Sequence, residues 1–149
     1  MSPSAVTAIV LNWCAEAVTA DCIRSLLASN YRALEVLLVD NGSTDDSFER
    51  LKESFPDIEF LQTGENLGYA GGNNRGIEWA LAGRPKYVLI LNNDTVLDPD
   101  TVSKLVYAAE NREVRVGGVV PKILYYDDPT RIWYAGGEFS SIKGLGIHW

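Results

Sequence analysis

This chain of 149 residues is short of cysteine, histidine and basic charge, and each shortage excludes something. Two cysteines, Cys14 and Cys22, are too few for a disulfide framework, and their spacing fits neither a zinc knuckle nor a redox pair. They are expected to be reduced packing residues of a cytoplasmic protein. The single histidine, His148, sits beside the last residue and reads as a bystander rather than a metal ligand. Thirteen Lys and Arg stand against twenty Asp and Glu, for a formal charge of −7 and a pI near 4.6. The basic residues are scattered, which excludes a nucleic-acid surface. No apolar run reaches the roughly 18 residues of a membrane-spanning helix. No basic segment followed by an apolar one opens the chain, so no signal peptide is read. The expected location is the cytoplasm, at most peripheral at the inner membrane face.

What is present is an alternation of strand and helix. The length suits one domain, 1–149, with a sizeable core. Apolar runs predict strands over 6–11, 34–39 and 58–62. A fourth run, Tyr87-Val88-Leu89-Ile90-Leu91, has no polar alternation and is expected to be the central strand, buried on both faces. Val18, Cys22 and Leu26, with Ile23 and Leu27, recur at helical spacing and predict a helix over 19–29. Ser43-Thr44-Asp45-Asp46 matches a capping box, with Ser43 as N-cap and Asp46 at N3. The helix it would open carries Phe48, Leu51 and Phe55, and Pro56-Asp57 ends it. Residues 64–74 read as loop and turn. A helix follows with Ile77, Ala80 and Leu81 on one face, ended by Gly83-Arg84-Pro85. Asp98 and Pro99 suit N-cap and N1 of another, with Val102, Leu105, Val106 and Ala109 as its core face. Residues 114–126 are apolar but broken by Gly117-Gly118 and Pro121, and beyond Asp127 no period is visible. The fold class that results is α/β, a mostly parallel sheet with helices on both faces.

Ligands of such sheets sit beyond the carboxyl ends of the strands. That edge gathers Asn12, Asp40, residues 64–74 and Asn92-Asn93-Asp94. Asp94 is the metal candidate, because hard cations take carboxylate and phosphate oxygens; the alternative is a residue that only caps a turn. Asp40 can accept from a base imide or a ribose hydroxyl, or can serve an Asx-turn. The glycines of 64–74 allow close backbone approach to an anion at a helix start. They form neither the dinucleotide fingerprint nor a phosphate-loop NTPase motif.

Four segments taken together resemble the family 2 glycosyltransferases in order and spacing, and most the rhamnosyltransferase-like branch. They are Thr7-Ala8-Ile9-Val10-Leu11-Asn12, Val39-Asp40-Asn41-Gly42-Ser43-Thr44-Asp45, Asn66-Leu67-Gly68 through Asn73-Asn74-Arg75-Gly76-Ile77, and Leu91-Asn92-Asn93-Asp94-Thr95. The resemblance covers essentially the whole chain. It implies a GT-A fold, a Rossmann-like nucleotide-sugar-binding domain. Leu11 and Asn12 would line the base pocket and Asp40 would contact the pyrimidine. Gly68 and Asn73 would face the nucleotide, Asn73 standing where many relatives carry Arg. Asn92 stands where the first Asp of D-x-D usually lies and would face the ribose, with Asn93 beside it. Asp94 matches the second Asp and would hold Mn²⁺ or Mg²⁺ against the diphosphate. Trp133, Tyr134 and Gly136-Gly137 match a region towards sugar and acceptor.

The implied reaction is inverting, metal-dependent transfer from a UDP- or dTDP-type sugar donor to a hydroxyl of a glycan or lipid-linked acceptor. Members of the family usually continue well past this point, into a part that carries the acidic general base. The expectation is a donor-binding portion, truncated at its C-terminus, that binds donor and metal but transfers poorly; nothing fixes Asp127, Asp128 or Glu138 as the base. Two alternatives stay open. One is a non-catalytic nucleotide-sugar-binding module. The other is a nucleotidyltransferase, although Asn12-Trp13-Cys14-Ala15-Glu16 lacks the basic, Gly-rich loop typical of those enzymes.

Overall fold

The computed structural model describes residues 4–112, 116–140 and 145–148. The chain divides into two compact units, Met1–Val102 and Ser103–Trp149. The first is built on a parallel sheet of β1 (Val6–Asn12), β2 (Leu34–Asp40), β3 (Glu59–Gln62) and β4 (Tyr87–Asn92), in the order β3-β2-β1-β4. Between the strands run α1 (Glu16–Leu27), α2 (Ser47–Ser54) and α3 (Gly68–Ala82).

The period-two alternation of a strand sends successive side chains to opposite faces, and β1 and β2 are apolar at both. Ala8, Val10, Val36 and Leu38 pack with Ala20, Cys22, Ile23 and Leu26 of α1 and with Leu51 of α2. Ile9, Leu37 and Val39 face the other way and pack with Ala80 of α3, flanked by Ile77 and Trp79. The sheet thus has helices on both faces, as expected. Each fully buried Leu or Ile in these layers contributes about 1.5–3 kcal/mol by leaving water.

Several boundaries differ from expectation for physical reasons. β4 is not a central strand buried on both faces. Among the described residues it pairs with β1 alone and ends the four-stranded sheet, and Ile90 is 46% exposed. An unbroken apolar run shows that a strand can be buried, not how many neighbours it has. The turn over 69–74 is helix instead, because α3 already begins at Gly68. Small residues there serve close packing: a Cβ on Gly76 would lie 2.7 Å from Ile9 Cγ2 and 3.0 Å from Val39 Cγ2. Leu81 points away from the core face and is exposed. Ser43 does not cap α2, whose N-cap position is Asp46. Asp45 accepts the Ser47 N–H instead, and the Ser47 hydroxyl and N–H hold its carboxyl below the usual range. α1 starts at Glu16, earlier than the apolar period suggests.

In the second unit, β5 (Ile123–Leu124) pairs antiparallel with β6 (Ile132–Tyr134), and β7 (Gly137–Ser140) with β8 (Leu145–His148). Residues 101–110 form α4 (Thr101–Glu110), with Val102 and Val106 buried as the spacing requires. Asp98 sits one turn ahead, accepting the Asp100 N–H on its carboxylate and the Thr101 N–H on its carbonyl. The start of the apolar stretch at Val114, Gly144 and the side chain of His148 lie outside the described residues.

Candidate functional site

A strand order of 3-2-1-4 reverses direction between β1 and β4, and α/β sheets bind ligands at that switch point. A cleft of about 460 Å³ opens there. It is lined by Leu11, Trp13 and Ala15 after β1, Asn41 after β2, Asn66, Gly68 and Tyr69 at the start of α3, and Asn92, Asn93 and Asp94 after β4.

Behind it lies a buried polar network. Asn12, fully buried, donates its Nδ2 to Asp40 Oδ1 at 3.0 Å and to the hydroxyls of Ser43 and Ser47, both at 3.2 Å. Its Oδ1 accepts from the Thr19 hydroxyl at 2.8 Å. Asp40, 1% exposed, also receives the Ser43 hydroxyl on Oδ1 at 2.5 Å and the Ser43 N–H on Oδ2 at 3.1 Å. Ser43 in turn accepts the Cys14 N–H at 2.9 Å. The loops after β1 and β2 are therefore clipped together by one carboxylate. Buried polar groups need such partners, since an unpaired one costs about 1–3 kcal/mol.

A second set fixes the entry to α3. Asn41 Nδ2 donates to Asn66 Oδ1 at 3.1 Å and to the Gly68 carbonyl at 3.2 Å, while Asn41 Oδ1 accepts the Leu67 N–H at 3.1 Å. Gly42 makes the approach possible: its φ is +72°, and a Cβ there would lie 2.4 Å from the Glu65 carbonyl carbon. The N-cap position, Leu67, makes no side-chain capping bond. The Gly68 N–H is instead taken by Asn66 Oδ1 at 2.8 Å, and the dipole at this end of α3 favours an anion.

The last wall comes from β4. Tyr69 donates its hydroxyl to Asn92 Oδ1 at 2.8 Å, and Asn93 Nδ2 donates to Thr19 Oγ1 at 2.9 Å. Asp94 is exposed at the cleft and receives no hydrogen bond among the described residues. Cys22 lies beneath, its thiol 3.6 Å from the Asn92 carbonyl. Burial pushes that thiol up to about 12; the Thr95 N–H acts against the shift and the Asp94 charge adds to it.

Of the residues expected at a site, Leu11, Gly68, Asn92, Asn93 and Asp94 line the cleft together. Asn12, Asp40 and Asn73 do not line it. Asn73 is 4% exposed within α3, donates to the Tyr69 carbonyl at 2.9 Å, and leaves its Oδ1 without a partner. Trp13, Ala15, Asn41, Asn66 and Tyr69 line the cleft without having been singled out. Each lies within three residues of one that was, so adjacency to the motifs is the signal that finds them.

Among the described residues no group of three His, Cys, Asp or Glu could hold a metal ion by itself. Mg²⁺ and Mn²⁺ sites that share the ion with a phosphate need only one or two carboxylates. Asp94, flanked by two amides at the cleft, fits that kind of site.

An open α/β sheet with a polar cleft at its switch point defines a Rossmann-like class of protein. Residues 7–145 match the model of glycosyl transferase family 2, and the chain belongs to that family. It is 33% identical over 134 residues to the N-acetylglucosaminyl-diphospho-decaprenol L-rhamnosyltransferase of Mycobacterium tuberculosis, covering 85% of this chain and 43% of that protein. It is 34% identical over 83 residues to the poly-beta-1,6-N-acetyl-D-glucosamine synthase of Staphylococcus aureus, 54% of this chain and 19% of that one. The fold is that of GT-A glycosyltransferases. It matches the mannosyltransferase PcManGT of Pyrobaculum calidifontis, solved with GDP-Man and Mn²⁺, with a TM-score of 0.66 and 24% identity over 76% of this chain and 34% of that one. It also matches S. aureus TarS in complex with UDP-GlcNAc, with a TM-score of 0.61 and 20% identity over 71% of this chain and 31% of that one. The chain spans less than half the length of each of these relatives. Among the described residues no helix is long and apolar enough to cross a membrane.

Proposed function

We propose that the cleft binds a nucleotide-diphosphate sugar, of UDP or dTDP type, and that the protein serves an inverting, metal-dependent sugar transfer to a hydroxyl of a glycan or lipid-linked acceptor. The observation that carries this is the convergence of Asp94, two amides and the N-terminal turn of α3 on one cleft at the β1/β4 switch.

Each element has a chemical part in that reading. The first-turn N–H groups of α3 meet the diphosphate, whose charge grows as the sugar leaves. Leu11 and Trp13 supply apolar surface beside the base or the sugar. Asp40 stands at the back of the base pocket, and a direct contact to the base requires the Ser43 hydroxyl to move off Oδ1. Asp94 would hold Mn²⁺ or Mg²⁺, which when bound supplies Lewis-acid stabilisation of the leaving diphosphate. Asp94 is the one carboxylate among the residues lining the cleft, and this reading gives it to the metal, so the lining leaves no general base. Asp127, Asp128 and Glu138 belong to the other unit, and Asp128 is engaged in its own turn with Thr130. The expected behaviour of these 149 residues is donor binding with little or no transfer.

Calorimetric titration with UDP and dTDP, with and without Mn²⁺, tests the reading on the unsubstituted chain and on Asp94→Ala. Metal-dependent binding that the substitution abolishes supports it. A folded chain that binds neither nucleotide, also when extended towards the length of its relatives, overturns it. Robust transfer to an acceptor by the 149-residue chain overturns the expectation of little or no transfer.

A further inference from the structure

Two adjacent amides reach the cleft from the end of β4, and their partners wire them in opposite senses. An Asn side chain has one end that accepts and one that donates. At Asn92 the accepting end is engaged: one of the two lone pairs of Oδ1 receives the Tyr69 hydroxyl at 2.8 Å. At Asn93 the donating end is taken: Nδ2 gives its proton to Thr19 Oγ1 at 2.9 Å. Both residues line the cleft, as does Tyr69. The wholly unengaged end of Asn92 is its NH₂ group, which has no partner among the described residues. The nitrogen lone pair of a carboxamide is delocalised into its carbonyl, so the NH₂ group donates to an acceptor rather than ligating a cation.

We propose that Tyr69 is a positioning residue that holds the Asn92 amide with its NH₂ group towards the cleft. Position 92 then meets an oxygen of the nucleoside diphosphate as a hydrogen-bond donor and takes no part in holding the metal. Asp94 is left as the one anionic protein ligand of this pair of positions. The inference rests on the reading that the cleft takes a nucleoside diphosphate, but the orientation of the amide is a property of the protein alone.

Two measurements separate the parts. The first uses the chain by itself, with the Asn92 side-chain resonances assigned by their loss in Asn92→Ala. In Tyr69→Phe the Asn92 Cγ resonance is expected to move upfield, because its carbonyl loses an accepted bond, while the Nδ2 protons move little. Movement of the Nδ2 protons with Cγ unchanged means that the amide sits the other way round, and overturns the proposal. The second is calorimetry. UDP without metal should bind about three- to tenfold more weakly to Tyr69→Phe, the worth of one hydrogen bond. The same substitution in an Asn92→Ala background should cost nothing further. An equal loss in both backgrounds shows that Tyr69 does not act through Asn92, and overturns the proposal. Mn²⁺ alone should bind Tyr69→Phe and Asn92→Ala as it binds the unsubstituted chain; a clear loss in Asn92→Ala puts position 92 on the metal and also overturns it. If neither UDP nor dTDP binds the unsubstituted chain or its extended form, the donor-site reading falls, and the resonance shift still decides the part of Tyr69.

Discussion

β2 and β4 end in the same way in the sequence and in opposite ways in the structure. Both are apolar runs followed by a cluster of Asn and Asp. Asp40, at the end of β2, is buried, and its oxygens are taken by Asn12 and Ser43. Asp94, beyond the end of β4, is exposed and takes no hydrogen bond among the described residues. The strands differ in their neighbours. β2 lies between β1 and β3, and loops from both sides close over its end. Among the described residues β4 has β1 alone, and its end forms one side of the switch-point cleft. A carboxylate at a strand end is thus a structural clip or a free ligand according to where the strand lies in the sheet.

The largest expected effect is at the clip. Asp40→Ala takes one of three acceptors from the buried Asn12 amide and the acceptor from both the N–H and the hydroxyl of part-buried Ser43. The loss should be about 3–5 kcal/mol of stability, read from urea denaturation. A loss below 1 kcal/mol would break the comparison, since Asp40 would then be as dispensable to the fold as Asp94.

Cys22 reports on the β4 end from below. Its thiol stands at about 12 against 9.0 in the unfolded chain, so the folded form keeps its proton longer. The stability this contributes is intact below pH 9 and is lost as pH rises from 9 towards 12, by up to about 4 kcal/mol. The slope of stability against pH in that window should flatten in Cys22→Ala. In Asp94→Asn the thiol pKa should fall, because a like charge has been removed. A thiol that titrates near its ordinary value would show the β4 end to be wetter than the packing around Cys22 implies.

How much of this was legible follows from the same contrast. Local chemistry was readable: apolar runs marked the four parallel strands, and the order of motifs pointed to the switch-point edge. Sheet position was not. Leu89 and Ile90 look as buried as Leu37 and Leu38, because nothing local tells how many strands flank a run. The start of α3 was hidden for a different reason. Gly71, Gly72, Asn73 and Asn74 have poor helix propensity, and tertiary packing overrides it. That Asn12 and Asp40 lie behind the cleft rather than in its lining was not legible, because polar residues at strand ends suit ligands and buried networks equally well. Tyr69 was missed because an aromatic in a Gly-rich segment carries no sign that its hydroxyl reaches Asn92.

Gly76 sharpens the comparison from the other face of the sheet. It packs on Ile9 and Val39, from β1 and β2, and its added Cβ would touch neither β4 nor the cleft. Gly76→Ala gains about 1 kcal/mol in helix propensity and costs about 1–3 kcal/mol in overpacking. The net loss should be about 1 kcal/mol by denaturation, with nucleotide affinity unchanged. A stabilised variant would mean that α3 can back away from the sheet without cost.

The smallest effect on stability should come from Asp94→Ala. The carboxylate has no hydrogen bond among the described residues to lose, so the change should stay within about 0.5 kcal/mol. Ligand binding should respond in the opposite proportion. With the anionic oxygen gone, nucleotide binding should lose its response to Mn²⁺, a weakening of about tenfold or more in the presence of the ion. Asp40→Ala and Asp94→Ala together then form a crossed pair, one costing stability and the other costing metal-dependent binding. If Asp94→Ala instead costs about 2 kcal/mol, the residue caps the turn after β4, and the metal reading of that strand end fails while the clip after β2 stands.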